Sequence, residues 1–420
     1  MKNVLMIAYH FPPVRVSSGI QRTLKFTQYL LNHHWRAQVL TVSPIAYIES
    51  NDGQIKEIPE AVFVKRAFAL DTSRQLSIKG RYLYWMALPD RWVSWSFAGV
   101  VSGLGMIIKF RPKIIWSTYP IATAHLIGLI LHRITGKPWI ADFRDSMTED
   151  DYPVNPTQRK VYRWIEKQTI KYCSRAVFTT PSAIKMYEER YPEVENNHWV
   201  LIPNGFDEEN FIEAEKQLQK KIPERNLNKQ KITLLHSGVL YPSERDPSQF
   251  FLAMEELLKT GAVSPDNFKM ILRATGHDEY YQKLIREKGL QDIIFIEPGI
   301  GYKEALTEML SVDGLVIFQA ANCNHQIPAK IYEYLRAKKP ILALTDIKGD
   351  TAAVLLNSGV EPSIAALDNK EEIIQTMIKF LLQIEQGTSP VISDKYIFSH
   401  SREARTEILA KMMNDVCRDH

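Results

Sequence analysis

The chain has 420 residues, 45% of them hydrophobic, which is enough for about two or three domains with sizeable cores. Its formal net charge of +4 excludes the strongly basic balance of a nucleic-acid polycation. Three cysteines, odd in number and far apart in sequence, argue against a disulfide framework and fit a reducing compartment.

The first predicted element is a buried β-strand at residues 4–9, which ends at His10 and two prolines. Six apolar residues are too few for the apolar region of a signal peptide or for a membrane span. We therefore expect a cytoplasmic protein.

Short apolar runs then alternate with amphipathic stretches. A helix is predicted after Gly19, where apolar residues recur at helical spacing. This βα alternation predicts a parallel sheet with helices on its faces. The strands predicted in this half are at residues 38–42, 62–64, 114–117, 139–143, 176–180 and 200–202.

The alternation pauses at a polar stretch, residues 208–230, which we interpret as a linker region with a short helix. It then restarts, and the strands predicted beyond the linker are at residues 232–236, 270–273, 293–296, 315–318 and 341–344.

The predicted fold class is therefore α/β, with two Rossmann-like domains facing each other across a cleft. The first domain is predicted at residues 1–207 and the second at residues 231–395. Residues 396–420 have helical periodicity but no strand to pair with, so we expect a C-terminal helix that crosses back to the first domain.

Ligands of such sheets bind at the carboxyl ends of the strands. The first of these loops reads HFPPVRVSSGIQR, where Gly19 lets a phosphate approach the backbone and Ser17 and Ser18 are candidate caps. The alternative is an ordinary helix N-cap. The loop is not a dinucleotide fingerprint, because GxGxxG would follow the strand directly.

Three loops of the second half are candidate phosphate or nucleobase contacts. Gly238 leaves room beside a strand end, and Arg245 carries a planar, permanently charged fork that suits a diphosphate. Alternatively, Arg245 pairs with a neighbouring carboxylate at the surface. The glycine-bearing loops at residues 274–276 and 297–302 can place a base against backbone, or they are ordinary βα turns.

The segment NCNHQIPAKIYEYLRAKKPILAL, residues 322–344, joins a polar loop, a helix start and a buried strand. Pro328 is predicted in the first helical turn, where backbone amides and the helix dipole favour an anion. Lys330 adds positive charge, and Glu333 lies on the same helical face, placed to accept two hydrogen bonds from a ribose. The alternative is a surface Lys/Glu pair.

The sequence DFRD, residues 142–145, ends a predicted strand of the first half. Asp142 and Asp145 can orient acceptor hydroxyls or act as a base, while Arg144 can bind an acceptor anion. The alternative is an internal Arg–Asp network that braces the loop. The two aspartates do not form a DxD metal motif.

Residues 79–113 mix basic and aromatic side chains, a composition that favours the headgroup boundary of an anionic membrane. The longest uncharged run, residues 92–108, is too short and too rich in serine to span a bilayer. A buried helix with a few exposed aromatics explains the same residues. If the membrane interpretation holds, the acceptor is lipid-linked.

Six motifs occur in order along nearly the whole chain: HFPP, a Gly-headed helix, DFRD, PNG, HSG, and IPAKIYEYLRAKKPILAL. Together they resemble the retaining GT-B glycosyltransferases of family 4. By position, this resemblance implies donor-binding roles for Ser18, Gly19, Gly238, Arg245, Thr275, Gly276, Pro298, Gly299, His325, Lys330, Ile331 and Glu333. It also implies acceptor-binding roles for His10, Tyr119, Arg144 and Asp145, and catalytic roles for Arg245, Lys330 and Asp142.

The activity implied is transfer of a sugar, with retention, from a nucleotide-diphosphate sugar to a glycan or lipid-linked acceptor in surface polysaccharide or glycan biosynthesis. The resemblance implies no metal ion and no cofactor beyond the sugar nucleotide as co-substrate. The other expected partner is the inner face of an anionic membrane, and no nucleic acid is expected.

The chain departs from the family pattern at His325, which stands eight residues before Glu333 where a glutamate is common. A histidine is not an obligatory anion at neutral pH, so this position supports an alternative, an inactive GT-B scaffold that binds a partner glycosyltransferase. A GT-B nucleotide-sugar epimerase is the enzymatic alternative. His125 lies beyond the loop where relatives carry a histidine, and we do not expect it to be catalytic.

Overall fold

The computed structural model describes residues 1–14, 18–50, 52–150, 152–221 and 231–419. The chain divides into two compact units. The first comprises Met1–Asn204 together with Arg402–His420, and the second comprises Gly205–Ser401.

The first unit is built on a seven-stranded parallel sheet with strand order β3-β2-β1-β4-β5-β6-β7. Since parallel strands end at one edge, the loops after β1, β4 and β5 are neighbours. The strands are β1 Lys2–Ile7, β2 Trp35–Val42, β3 Phe63–Ala67, β4 Ile114–Thr118, β5 Trp139–Arg144, β6 Arg175–Phe178 and β7 Trp199–Leu201.

Helices cover both faces of this sheet. Alternate residues of β1 point to opposite faces, so that Val4 and Met6 join one apolar cluster while Leu5 and Ile7 join the other. Burial on both faces explains why the strands are continuous apolar runs. The helices that precede the second unit are α1 Ser18–Tyr29, α2 Thr72–Gln75, α3 Trp95–Phe110, α4 Ala122–Thr135, α5 Pro156–Tyr172 and α6 Pro181–Arg190.

The second unit holds a six-stranded parallel sheet with strand order β10-β9-β8-β11-β12-β13. Its strands are β8 Ile232–Ser237, β9 Phe268–Arg273, β10 Ile294–Glu297, β11 Gly314–Phe318, β12 Ile341–Leu344 and β13 Ser363–Ala365. Its helices are α7 Glu208–Lys221, α8 Ser248–Lys259, α9 Asp278–Glu287, α10 Tyr302–Ser311, α11 Lys330–Ala337, α12 Asp350–Leu356, α13 Lys370–Gln386 and α14 Asp394–Ser399.

The last helix, α15 Arg402–Val416, returns to the first unit. It packs against α1, and its Leu409 and Met413 belong to the same apolar cluster as Val4 and Met6. The predicted fold class is thus confirmed, with two α/β units, two parallel sheets and a returning C-terminal helix.

The stretch at residues 208–230 was predicted to be a linker region with a short helix. Its first part is the fourteen-residue helix α7, which packs into the second unit. Phe211 and Ala214 lie in that unit's core, and Arg336 of α11 is ion-paired with Glu208 and Glu215 of α7. Residues 222–230 lie outside the described residues.

Candidate functional site

The loops that follow β8, β9, β10 and β11 lie at one edge of the second sheet, because these parallel strands are neighbours. This edge is named here the second-unit edge. The predicted donor-binding residues of all four loops are therefore brought to one side of the unit. Lys330 and Glu333 join them from the first turn of α11.

Gly238 and Lys330 are in direct contact at this edge. A Cβ atom added to Gly238 would lie 2.5 Å from the Lys330 ammonium nitrogen, Nζ. Gly238 also has a φ of 129°, a conformation that residues with a side chain rarely adopt. Only glycine lets the ammonium group sit against the end of β8.

His236 lies beneath Lys330 and is fully buried on β8. Its Nδ1 lies 2.9 Å from the Val316 carbonyl oxygen, which can only accept, so Nδ1 carries the proton. The unprotonated Nε2 then faces Lys330 Nζ at 3.4 Å and accepts its hydrogen bond. Sequence analysis included His236 in the HSG motif but assigned it no role, although a histidine inside an apolar strand that reaches a predicted site is a detectable signal.

The ammonium group of Lys330 titrates far below its ordinary range. Burial first, and then the positive charge of Arg245, lower the pKa of Lys330 to about 7, against the opposite influence of Glu333. Burial, followed by the charge of Lys330, holds the pKa of His236 well below its usual range. The edge therefore holds a cation that is incompletely compensated and gains from an anionic ligand.

Arg245 is fixed by its own loop. Its Nη1 donates to the Val239 carbonyl oxygen at 3.0 Å, and its guanidinium lies 5.4 Å from the ring centre of Tyr241. The predicted alternative, pairing with a neighbouring carboxylate, is not among the contacts described for Arg245. The loop is anchored where Glu244 O accepts from Ala320 N at 2.7 Å.

Glu333 lies three residues after Lys330 and accepts a hydrogen bond from the Tyr302 hydroxyl at 2.8 Å. Tyr302 was missed from sequence. Ile331, predicted to bind a donor, has its side chain fully buried in the core, so only its backbone remains for such a role. Pro328 lies two residues before α11 rather than within it, although its carbonyl accepts from Ile331 N.

His325 lies in the loop between β11 and α11, half-buried, with its Nε2 3.5 Å from Gln326 Nε2. Buried hydrogen bonds brace this loop: Gln319 Nε2 donates to the carbonyls of Cys323 and Gln326 at 2.6 and 2.8 Å. Asn324 also donates to Asp346 at 2.6 Å. His325 is thus held at the edge on a rigid loop.

Two further loops complete the edge. Thr275 is fully buried, and its hydroxyl donates to Asp278 while its carbonyl accepts from Leu240 N. Gly276 has a φ of 76° and faces Val239. In the next loop, the Pro298 carbonyl accepts from Arg273 at 2.7 Å, and Gly299 lies beside Ala274.

In the first unit, Asp142 forms a buried ion pair with Arg22. Arg22 of α1 donates to both carboxylate oxygens, Nε at 2.9 Å and Nη2 at 2.8 Å, and Thr118 adds a hydroxyl donor at 3.0 Å. The two charged side chains are only 3% and 0% exposed. Asp142 therefore forms a buried ion pair that joins α1 to β5, rather than presenting a free base.

This pair is an internal Arg–Asp contact in which Arg22 of α1 is the partner of Asp142. Sequence reasoning did not single out Arg22. The signal available was its position three residues after Gly19, on the first turns of a helix that starts at the carboxyl edge of the sheet.

The predicted acceptor residues gather at the carboxyl edge of the first sheet. Arg144 ends β5 and is 8% exposed, with Nη1 3.5 Å from the Tyr119 carbonyl oxygen. Tyr119 is buried and its backbone N–H donates to Asp142 O, whereas Asp145 is exposed. Burial, followed by the charge of Arg144, lowers the pKa of His10 to about 4, so His10 is neutral near pH 7.

The remaining predicted positions of this unit are on helices. Ser18 and Gly19 begin α1 and Gly19 is buried, while the side chain of Ser18 and the whole of Ser17 lie outside the described residues. His125 lies within α4, fully buried, with Nδ1 2.8 Å from the Ser117 hydroxyl. Burial lowers the pKa of His125 to about 3, as suits a neutral core residue.

A family comparison finds a match within the first unit. Residues 21–205 are similar to the family described as glycosyl transferase 4-like domain. A search of curated proteins found no significant sequence match.

Solved structures show that the whole chain has the GT-B fold. Sucrose-phosphate synthase from Thermosynechococcus elongatus matches with a TM-score of 0.68 at 11% identity, covering 100% of both chains. HepE from Anabaena in complex with UDP matches with a TM-score of 0.59 at 14% identity, covering 100% of this chain and 98% of that one. The UDP-GlcNAc 2-epimerase of Neisseria meningitidis matches with a TM-score of 0.56 at 11% identity, covering 99% and 100%.

Two negative observations concern the part of the chain that the structure describes. No group of three or more His, Cys, Asp or Glu side chains there is arranged to hold a metal ion. Likewise, none of the described helices combines the length and the apolar character needed to cross a bilayer.

Proposed function

We propose that this GT-B protein transfers a sugar, with retention, from a nucleotide-diphosphate sugar bound at the second-unit edge to a glycan or lipid-linked acceptor bound by the glycosyl transferase 4-like domain. The observation that carries the proposal is the half-buried, under-compensated Lys330 ammonium beside Gly238 and Arg245. The matching UDP-bound HepE structure supports a nucleotide ligand for this fold. The biological setting we propose is surface polysaccharide or glycan synthesis in the cytoplasm.

The chemistry needs positive charge on the leaving group. As the bond between sugar and diphosphate breaks, negative charge builds on the departing phosphate oxygen. Lys330 and Arg245 are preorganised on a rigid edge, so they stabilise that charge without reorganisation in the transition state.

The other residues of the edge orient the donor. Glu333 accepts hydrogen bonds from ribose hydroxyls, and the Thr275–Gly276 and Pro298–Gly299 loops offer backbone to the base. His325, on the loop before α11, takes a sugar-facing position. No metal ion is needed in this scheme, since the two cations neutralise the diphosphate.

On the acceptor side, Asp145, Tyr119 and His10 surround Arg144. The exposed carboxylate of Asp145 orients acceptor hydroxyls. Asp142 positions α1 through Arg22 instead of touching the acceptor.

Donor binding is tested by thermal shift with a panel of nucleotide sugars, with and without magnesium, followed by a transfer assay. We expect stabilisation by at least one sugar nucleotide, independent of magnesium. No stabilisation by any nucleotide diphosphate would contradict the proposed donor site. Donor hydrolysis or transfer would exclude an inactive scaffold that only binds a partner enzyme.

Glu333→Ala and Arg245→Ala are expected to weaken donor binding while leaving folding intact. Each removes a charged hydrogen-bonding partner worth about 1.5–3 kcal/mol, which corresponds to about a ten- to hundredfold higher Kd. Isothermal titration calorimetry measures the change. The matched control is Tyr302→Phe, which removes the hydroxyl that donates to Glu333 but leaves the Glu333 carboxylate. Unchanged donor affinity in both alanine variants would refute these contacts.

A nucleotide-sugar epimerase is the second candidate, favoured by the match to the UDP-GlcNAc 2-epimerase fold. An epimerase acts on its sugar nucleotide without an acceptor. Incubating UDP-GlcNAc with the protein alone in deuterated water separates the two activities. We expect no epimer and no deuterium at C2, whereas either product would favour the epimerase.

We also propose that residues 79–113 contact an anionic membrane. Phe97, Val101 and Ile108 are spaced to lie along one face of α3 and are exposed, with Phe97 at 79%. Exposed Trp85 and basic side chains in the same segment add an amphipathic, positively charged character. Contact of residues 79–113 with a membrane favours a lipid-linked acceptor.

Among the aromatic residues of this segment, Trp95 is fully buried and Trp92 is half-buried against Tyr9, so neither is proposed to contact the membrane. Instead, the double variant Phe97→Ser, Ile108→Ser is expected to reduce binding to vesicles rich in anionic lipid at least tenfold, since each side chain inserted contributes about 1.5–3 kcal/mol. Vesicle sedimentation measures it. Trp164→Ala removes a comparably exposed aromatic from α5 as control, and equal binding by the folded double variant would reject the surface.

A further inference from the structure

Three arginines of the first unit lie almost entirely buried at the carboxyl edge of its sheet. Arg22 of α1 is 3% exposed, while Arg144 at the end of β5 and Arg402 at the start of α15 are each 8% exposed. Burial lowers the pKa of Arg144 most, the charges of Asp145 and Asp142 oppose this, and the charges of Arg22 and Arg402 add to the lowering. The three side chains form one group, named here the arginine cluster.

The carboxylates nearby compensate only part of this charge. Asp142 is committed to Arg22 through two hydrogen bonds. Asp145 is exposed, and the hydrogen bond described for its carboxylate is a long one of 3.4 Å from the Thr179 hydroxyl. The guanidinium groups of Arg144 and Arg402 are therefore left with surplus charge in a place that water solvates poorly.

Each of these two guanidinium groups also has a hydrogen-bond donor that is not used. The Nε atoms of Arg144 and Arg402 are buried and have no hydrogen-bond partner in the described parts of the chain. The side-chain contact of Arg144 is a 3.5 Å approach of Nη1 to the Tyr119 carbonyl. A buried donor without a partner costs about 1–3 kcal/mol, so its retention calls for an explanation.

The backbone holds Arg144 in this position against its own preference. Its φ is 63°, a conformation uncommon outside glycine, and the pairing of β5 with β6 shifts register between Asp142 and Arg144. Two hydrogen bonds from Thr179, from the backbone N–H at 2.9 Å and the hydroxyl at 2.8 Å, fix the Arg144 carbonyl. Strain of this kind, held in place by neighbours, is typical of functional positions.

We propose that the arginine cluster binds a phosphate group of the acceptor, with Arg144 and Arg402 as its ligands and Arg22 as their support. This inference rests on the proposed function and specifies its acceptor as a phosphorylated one. A guanidinium presents two parallel N–H donors to a phosphate, and a poorly hydrated pair of such forks recognises an anion strongly. His10 is neutral beside Arg144, so it does not compensate the charge of the guanidinium group.

The test uses inorganic phosphate as the probe, on full-length protein saturated with the tightest-binding nucleoside diphosphate so that the donor site is filled. Phosphate binding is measured by calorimetry, with acetate as a carboxylate reference. We expect phosphate to bind more tightly than acetate, and Arg144→Met and Arg402→Met each to weaken it at least tenfold. Arg133→Met, which removes an exposed arginine of α4, should have no effect.

Nucleoside diphosphate affinity is measured on the same proteins and separates this inference from the donor proposal. The affinity for the nucleoside diphosphate should stay unchanged in every variant. If the natural protein binds no nucleoside diphosphate, the proposed donor site is contradicted instead. Arg144→Lys keeps the charge without the fork and should lose phosphate affinity partly, which guards against a folding defect in the methionine variant. No phosphate binding, acetate binding as tight as phosphate binding, or a phosphate affinity in both methionine variants equal to that of the natural protein would overturn the inference.

Discussion

Lys330→Met is expected to lower the rate of sugar transfer about 10²–10³-fold, the cost of removing one preorganised charge-stabilising donor from an active site. The fully buried neighbour His236 and the close approach to Gly238 show that the ammonium group is held in one place. Steady-state kinetics measures the loss, which should fall mainly on kcat because the charge it meets develops in the transition state. Lys259→Met, an exposed lysine of α8, is the matched control.

The same lysine predicts a pH dependence. With a pKa of about 7 in the unliganded protein, Lys330 is mostly protonated below pH 7 and mostly neutral above it. A bound diphosphate favours the charged form, so donor binding at pH 8 should take up a proton, and affinity should fall as pH rises through 7. Calorimetry in buffers of different ionisation enthalpy measures the uptake. A proton uptake that persists in Lys330→Met would assign it to another group.

Asp142→Ala is expected to lower the free energy of unfolding of the first unit by about 3–5 kcal/mol, because it leaves the Arg22 guanidinium buried without its counter-charge. Denaturant unfolding followed by circular dichroism measures this. The double variant Arg22→Met, Asp142→Leu should recover much of the loss, since neither charge then remains buried. If Asp142→Asn instead kept full stability but abolished transfer, Asp142 would have the catalytic role predicted from sequence.

The strands were largely predictable because burial on both faces makes them continuous apolar runs, as in residues 4–9 and 341–344. β13 was missed because its three residues, Ser363–Ala365, carry no pattern that distinguishes a strand from a loop. The helix α7 was interpreted as part of a linker because its polar residues dominate. What makes it structural is the pairing of its Glu208 with Arg336, a contact 128 positions away.

The candidate site could be predicted in part. Lys330, Glu333, Gly238 and Arg245 could be placed at strand ends because parallel strands share an edge. His236 could not be paired with Lys330 from sequence, since the contact depends on how α11 packs beside β8. Which side chains contact each other is decided by tertiary packing.

The sequence also could not predict which side chains of residues 79–113 are exposed. The sequence showed which side chains were aromatic, but the side of α3 that faces the core decides that Trp95 is buried while Phe97 is exposed.

The central claim is that the second-unit edge binds a nucleoside diphosphate through Lys330, and direct titration of UDP, GDP, ADP and TDP tests it. We predict that at least one binds with a Kd between about 1 μM and 1 mM, the usual range of substrate affinities, and loses at least tenfold in affinity in Lys330→Met but not in Lys259→Met. Failure of all four to bind the natural protein, or equal affinities in the natural protein and Lys330→Met, would contradict the account.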